Sequence, residues 1–348
     1  MDRLRAWAVE NNFSRCLPLA EAVGQLGFVQ ADPIRSPARA QDLILRQRSP
    51  GYRTGDLEAA YPGLDLEEDF LYAYGFLPRP TWSLLHPKKS AALKPIERRV
   101  RDLVLELGEA HPATVAAHLG KRRTVNAWGG YSTASTRALQ SLHWYGLLRV
   151  ARREGGTRVY MPPHPNPGPV TPESDRLRRI VMLVARIFAP VPEASLRQML
   201  NHLTYCHLPP VRTRPLIAEL LKSGELVSGH VDGLSYLWPA DFSPVPPAAP
   251  DRVRFLAPFD PLVWDRRRFE HLWGWAYRFE AYTPAAKRTL GYYAMPILWR
   301  DRVVGWVNAS VDCGELSVEP GFANGRPRER AFRQAYDEEV ASLSRSLL

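Results

Sequence analysis

Cysteine is nearly missing from this chain: there are three in 348 residues, Cys16, Cys206 and Cys313, each far from the others. That spacing suits neither a disulfide framework nor the CxxC pairs of a zinc or iron–sulfur site, and it predicts reduced, structural thiols. Tyr205-Cys206-His207 sets two ligand types side by side, but with no second pair it reads as ordinary packing rather than a metal site. Also missing are a GxGxxG after a strand, a GxxxxGK[ST] loop and a GxSxG elbow, so dinucleotide, P-loop and hydrolase-elbow chemistry have no local support. Chemistry is therefore expected to use ordinary side chains, without metal or cofactor. No run approaches the ~20 apolar residues of a spanning helix. Met1-Asp2-Arg3-Leu4-Arg5 is followed by no signal-peptide apolar core, so a cytoplasmic protein with no membrane partner is expected.

What is present is a large apolar fraction, 45%, enough to bury two to four cores if each unit takes ~100 to 150 residues. Lys and Arg number 46 against 36 Asp and Glu, a net charge of +10. Such an excess favours a polyanion, either nucleic acid or an acidic membrane surface, and charge alone leaves both open.

Proline punctuates the chain at Pro78 to Pro87, Pro162 to Pro169 and Pro244 to Pro250, where fixed φ and lost donors end helices and stiffen linkers. Four parts result: 1–93, 94–165, 170–245 and 250–348. In the second, apolar spacing predicts helices over Ile96 to Leu107, Thr114 to Leu119 and Ser132 to Leu142, the last with Ser or Thr at its N-cap. Two β runs, Leu147 to Arg152 and Thr157 to Met161, then flank the turn Glu154-Gly155-Gly156. Three helices and a hairpin is the order of a winged helix. The third part repeats it, with helices over Arg176 to Phe188, Glu193 to Leu203 and Arg212 to Ser223, and a hairpin around Asp232-Gly233. A first winged helix is expected in the opening part, with short helices over Leu4 to Glu10, Leu17 to Leu26 and Arg39 to Arg46 and a β run at Phe28 to Ala31. The last part carries β runs at Arg252 to Phe255, Arg278 to Tyr282, Tyr292 to Trp299, Arg302 to Ala309 and Glu315 to Val318, closed by a helix over Arg328 to Ser346. The predicted class is α+β: tandem winged-helix domains followed by a small β-barrel-like domain.

Leu26-Gly27-Phe28-Val29-Gln30-Ala31-Asp32-Pro33-Ile34 with Ala38-Arg39-Ala40-Gln41-Asp42-Leu43, and Pro258-Phe259-Asp260-Pro261-Leu262-Val263-Trp264-Asp265-Arg266-Arg267 with Pro284 to Arg288 and Gly291-Tyr292-Tyr293, resemble the YcaQ/AlkZ family of crosslink-repair glycosylases. The resemblance covers nearly the whole chain. It implies a monomeric, monofunctional DNA N-glycosylase acting on double-stranded DNA with alkylated bases, including bulky adducts and interstrand crosslinks. It places catalysis on Gln30 and Asp32, in the Gln-x-Asp form of the YcaQ branch. Physical chemistry supports that pair independently, because residues i and i+2 of an extended segment project to one side. Asp32 is then able to face an oxocarbenium-like sugar and accept a proton from water, with the Gln30 amide orienting that water. Without the resemblance, an Asp before Pro is more often a turn residue.

Arg35, Arg39, Arg122, Arg123, Lys287 and Arg288 are candidate DNA contacts, weighed against simple solvated charges. Asp260 and Asp265 read as buried turn and ion-pair residues. Trp7, Trp128, Trp144, Trp264, Trp273 and Trp275 read as core anchors. The chain departs from the family pattern at Gln41 and Tyr74, where His is expected, and near Trp306, where a basic residue is expected. A non-enzymatic winged-helix regulator is the alternative reading. It fits the charge and the repeated helical order but leaves the Gln30 and Asp32 pair without purpose.

Overall fold

A computed structural model describes residues 1–86, 92–120, 123–125, 131–164, 171–206, 213–242 and 250–348. The chain forms two compact units, one made of Met1–Leu57 with Leu177–Leu348 and the other of Glu58–Arg176. Lys121, Arg122, Trp128, His207 and most of the second and third proline stretches lie outside the described residues.

In the unit Glu58–Arg176, the helix Pro95–Leu107 starts on a proline, whose missing N–H costs nothing at that position. The Glu97 carboxylate accepts from the Lys94 backbone N–H at 2.7 Å, and Val100 and Val104 face the core. Pro112–Leu119 follows, then Ala134–Trp144, whose first turn is capped by Thr133 Oγ1 accepting from the Thr136 N–H at 3.1 Å. The hairpin Arg149–Glu154 with Thr157–Met161 turns at Gly155 and Gly156, both at positive φ, a geometry that glycine adopts without strain. Helix, helix, helix, hairpin is thus the order present. A short pair, Arg123–Val125 with Tyr131–Thr133, is inserted before the third helix.

This unit also holds a hairpin that sequence patterning does not predict, Leu66–Phe70 with Tyr74–Pro78. Its first strand buries three successive acids, Glu67, Glu68 and Asp69, each 1% exposed. Buried charge is tolerable only when paired, and each of these has partners. Glu67 accepts from Arg149 Nε at 2.9 Å. Glu68 accepts from Arg153 Nη2 at 2.7 Å and Tyr74 Oη at 2.9 Å. Asp69 accepts from Trp82 Nε1 at 2.9 Å and meets His86 Nε2 at 2.6 Å. The first proline stretch is accordingly no linker over its first half: Pro78 ends a strand and Pro80 lies in the first turn of the helix Arg79–Leu85.

In the other unit, the helices Glu173–Ile187 (from Leu177 on), Glu193–Cys206 and Thr213–Lys222 precede the hairpin Leu226–Val231 with Leu234–Pro239, to which Val191–Pro192 adds a third strand. The turn sits at Asp232 and Gly233, both at positive φ. The N-terminal helix Asp2–Phe13 packs Trp7 and Val9 with Leu262, Phe269, Leu272 and Leu298 in one apolar core.

The C-terminal strands Val253–Phe255, Met295–Trp299, Arg302–Asp312 and Glu315–Phe322 pair antiparallel in chain order. Among the described residues this sheet is open, which corrects the expectation of a barrel. The reason lies at its first edge, where the Phe255 N–H donates to Glu339 Oε1 at 2.9 Å. The same oxygen accepts from Arg46 Nη1 at 2.9 Å and Gln47 Nε2 at 2.6 Å. The helix Arg330–Leu347 thereby occupies the edge that a closing strand would need. Residues 278–282 are likewise not a strand, because Glu280 turns inward to hold a loop. Cys16 and Cys313 are free but exposed, not packed as structural thiols.

Candidate active site

Gln30 ends the short strand Val29–Gln30, and Asp32 follows two residues later, both half-buried. Asp32 Oδ1 accepts from the Ile34 backbone N–H at 2.9 Å, which is the turn role open to any Asp before Pro. That bond uses one oxygen. Behind the turn, Gln41 in the helix Ala40–Leu45 is buried, and its Oε1 accepts from the Asp32 backbone N–H at 3.4 Å. Burial raises the Asp32 carboxyl above its ordinary value, and the Ile34 bond only partly offsets it.

Arg35 is exposed, and the Asp42 carboxyl is raised by burial, an effect that the charge of Arg39 opposes.

Gln30 is fixed from the far end of the sequence. Its Oε1 accepts from Trp264 Nε1 at 3.0 Å, leaving the Nε2 donors for another partner. Trp264 ends the helix Pro261–Trp264, whose first turn is capped by Asp260 Oδ1 accepting from the Leu262 N–H at 3.0 Å. Asp260, 1% exposed, also takes both Arg48 amino groups, Nη1 at 2.8 Å and Nη2 at 3.1 Å. Asp265 caps the next helix, Arg266–Trp273, through the Arg267 and Arg268 N–H groups. Asp260 thus caps a helix and pairs with Arg48, and Asp265 caps the next helix. Trp7 is a core anchor and Trp273 and Trp275 pack against the same core, whereas Trp264 carries a polar task that patterning does not reveal.

A second wall is built by residues 279–293. The Glu280 carboxylate accepts from the Thr289 N–H at 2.9 Å, Thr289 Oγ1 at 2.9 Å, the Leu290 N–H at 2.8 Å and the Gly291 N–H at 3.2 Å. Burial would raise this carboxyl, but those bonds outweigh it and hold it below its ordinary value. Gly291 is required here: it lies at φ 119°, and a Cβ would stand 2.4 Å from Asn308. The loop so anchored carries exposed Lys287 and half-buried Arg288. Arg288 Nε donates to the Thr283 carbonyl at 2.8 Å, and its guanidinium lies 5.0 Å from the centre of the Tyr292 ring.

Tyr282 is 80% exposed on this wall, whereas Tyr293 is 1% exposed and meets the Phe279 ring edge-on at 5.3 Å. Burial raises both phenols, and the Asp32 carboxylate, the largest charge acting on either, raises them further. The Asp32 charge thus reaches both phenols. Neither emerges from the sequence as a site residue beyond the bare match of Tyr293 to a family block.

Of the other candidates, Arg123 lies in the strand Arg123–Val125 of the unit Glu58–Arg176. At the departures, Gln41 serves Asp32 as described, Tyr74 Oη donates to Glu68, and Trp306 packs against Trp275 at 5.8 Å between ring centres. No described helix is long and apolar enough to cross a membrane.

The site thus presents a half-buried carboxylate that burial raises and an amide held by an indole, with a tyrosine-bearing loop that also carries basic side chains. A family model described as DNA glycosylase AlkZ-like matches residues 23–345, nearly the whole chain, and the protein belongs to that family.

Proposed function

We propose that this protein hydrolyses the N-glycosidic bond of N7-alkylated purines in double-stranded DNA, including bulky adducts and interstrand crosslinks, as a monofunctional glycosylase. The observation that carries the reading is the pairing of a half-buried Asp32 carboxylate, raised by burial, with a Gln30 amide held by Trp264. A carboxylate raised by burial gains most when a positive charge develops beside it, which is what the sugar becomes as the bond breaks.

The balance of the step is simple. The C1′–N9 electron pair leaves with the base and neutralises the charge that N7-alkylation placed on the purine ring, so no acid need protonate the leaving group. Water adds to C1′ through a lone pair and yields one proton to Asp32, which returns it to solvent. Gln30, with its carbonyl engaged by Trp264, acts on that water through its Nε2 hydrogens.

The three-helix-and-hairpin segments are proposed to act as tandem winged helices that grip the duplex within the domains 1–93, 94–165 and 170–245. Residues 250–348 contribute Lys287 and Arg288 to phosphates near the lesion, and Arg35, Arg39, Arg122 and Arg123 are proposed as further phosphate contacts. Monomeric action in the cytoplasm belongs to the same proposal. The experiment is single-turnover release of N7-methylguanine and unhooking of a nitrogen-mustard crosslink by the purified protein. Both products are expected. Tight binding to one short sequence that survives high salt, with no base release, would instead identify a regulator.

A further inference from the structure

Tyr282 is the most exposed large hydrophobic side chain among the described residues, at 80%, against 56% for the next, Leu348. Leaving an aromatic ring in water forfeits the free energy of burying it. A slack loop would recover that loss by folding the ring onto nearby apolar surface, but this loop is tied on both sides of the tyrosine. The Glu280 carboxylate holds the N–H groups of Thr289, Leu290 and Gly291, and the Glu280 carbonyl accepts from the Thr283 N–H at 2.9 Å. Arg288 Nε in turn donates to the Thr283 carbonyl at 2.8 Å.

The ring also has a rigid backing. Phe279 meets it at 6.0 Å between centres with the planes 79° apart, and Phe279 is itself braced by Phe259 at 5.0 Å and Tyr293 at 5.3 Å. A near-perpendicular contact covers an edge or part of one face, so with this much of the side chain in water a flat face stays open.

The surroundings are cationic. From Arg278 to Tyr293 the sequence holds Arg278, Lys287 and Arg288 and a single acid, Glu280. Glu280 is buried and engaged within its own loop, whereas Arg278 and Lys287 are exposed. The Arg288 guanidinium lies beside the ring of Tyr292, a second exposed tyrosine. Open aromatic faces interleaved with cations fit a polymer of phosphates and flat bases, since phosphates take the cations and a base stacks on a ring. In an intact duplex both faces of each base are already covered by its neighbours. A base that has lost its partner is the one free to turn out and meet the ring.

We propose that Tyr282 is a stacking platform for an unpaired base of duplex DNA, the base left facing the gap once its partner has been excised, with Lys287 and Arg288 on the flanking phosphates. The inference rests on the glycosylase reading for the origin of that base, and it needs no contact between Tyr282 and Gln30 or Asp32.

The test is binding of the purified protein to two fluorescein-labelled duplexes, one intact and one carrying a tetrahydrofuran abasic-site analogue opposite adenine, read by fluorescence anisotropy. The wild type should bind the second duplex more tightly. Tyr282→Ala should weaken binding to that duplex about 5- to 100-fold, the scale of one base stacked on an aromatic ring, while the affinity for the intact duplex and the melting temperature stay unchanged. Tyr282→Phe should keep the preference, because the ring and not the hydroxyl does the stacking. Lys287→Ala should weaken both duplexes alike. A Tyr282→Ala protein that binds the abasic duplex like the wild type, or that loses the same factor on both duplexes, overturns the inference, as does a Tyr282→Phe protein no better than Tyr282→Ala. A wild type that shows the expected pattern yet releases no alkylated base keeps the stacking role and overturns the glycosylase reading instead.

Discussion

Replacing Asp32 by Asn should make the protein more stable and nearly inactive at once. Asparagine retains an oxygen to accept from the Ile34 N–H, as the carboxylate does, and keeps the side-chain volume. What disappears is a charge that burial disfavours. Because the folded carboxyl lies above its unfolded value, the folded state binds the proton more tightly. The cost of the charge is therefore fully present above the folded pKa and fades as pH falls toward the unfolded value near 4. Asp32 is only half-buried, so solvent screens it, and the gain at pH 7.5 should be on the order of 1 kcal/mol, the usual yield when a strained functional residue is relieved. That corresponds to ~2 to 4 °C in a unit of this size. Base release should fall by ~10² to 10⁴-fold, and wild-type release should rise with pH through the raised Asp32 pKa, since only the ionised form acts. The assay is single-turnover excision across pH 4.5 to 8 beside thermal melts at the same values. An Asn variant that excises at the wild-type rate, or one folded and binding DNA but less stable than the wild type at pH 7.5, would refute the reasoning.

Three further outcomes are expected. Trp264→Phe removes the donor to Gln30 Oε1 while keeping an aromatic ring, and excision should drop about 5-fold, the kinetic equivalent of roughly 1 kcal/mol, with melting little changed. Asp260→Ala strands Arg48, whose side chain is 4% exposed, and should cost ~3 to 5 kcal/mol in chemical denaturation; a loss below 1 kcal/mol would mean that water reaches the site. DNA binding should be largely independent of sequence and weaken linearly on a log–log salt plot, and Lys287→Ala should flatten that slope by about 1 for one lost phosphate contact; an unchanged slope would remove Lys287 from the interface.

The sequence reveals what repeats locally and conceals what depends on distant partners. Helices such as Pro95–Leu107 and hairpins such as Leu226–Val231 with Leu234–Pro239 declare themselves through periodicity and turn glycines. The strand Leu66–Phe70 does not, since three adjacent acids look solvated until Arg149 and Arg153, more than eighty residues on, neutralise two of them. The open C-terminal sheet is equally hidden, because β-rich spacing cannot show that Glu339 will take the Phe255 N–H. At the site, Gln30 and Asp32 are legible from the family resemblance and from their i, i+2 spacing. The locking of Gln30 is not, as its partner stands 234 positions away.

That separation also has a meaning in time. One unit is assembled from both ends of the chain, Met1–Leu57 and Leu177–Leu348, so Gln30 and Asp32 leave the ribosome long before the side chains that complete their surroundings. At ~5 to 20 residues per second, the 234 positions between Gln30 and Trp264 are a delay of roughly 10 to 50 s. During it the intervening segment Glu58–Arg176 can bury its own charges and core, whereas the amide near the N-terminus is still without its indole. Glu339, which ties Arg46 and Gln47 to the sheet edge, arrives last. A chain that has not yet made Trp264 lacks the indole that holds Gln30, so the proposed pair is fixed only after that segment has emerged.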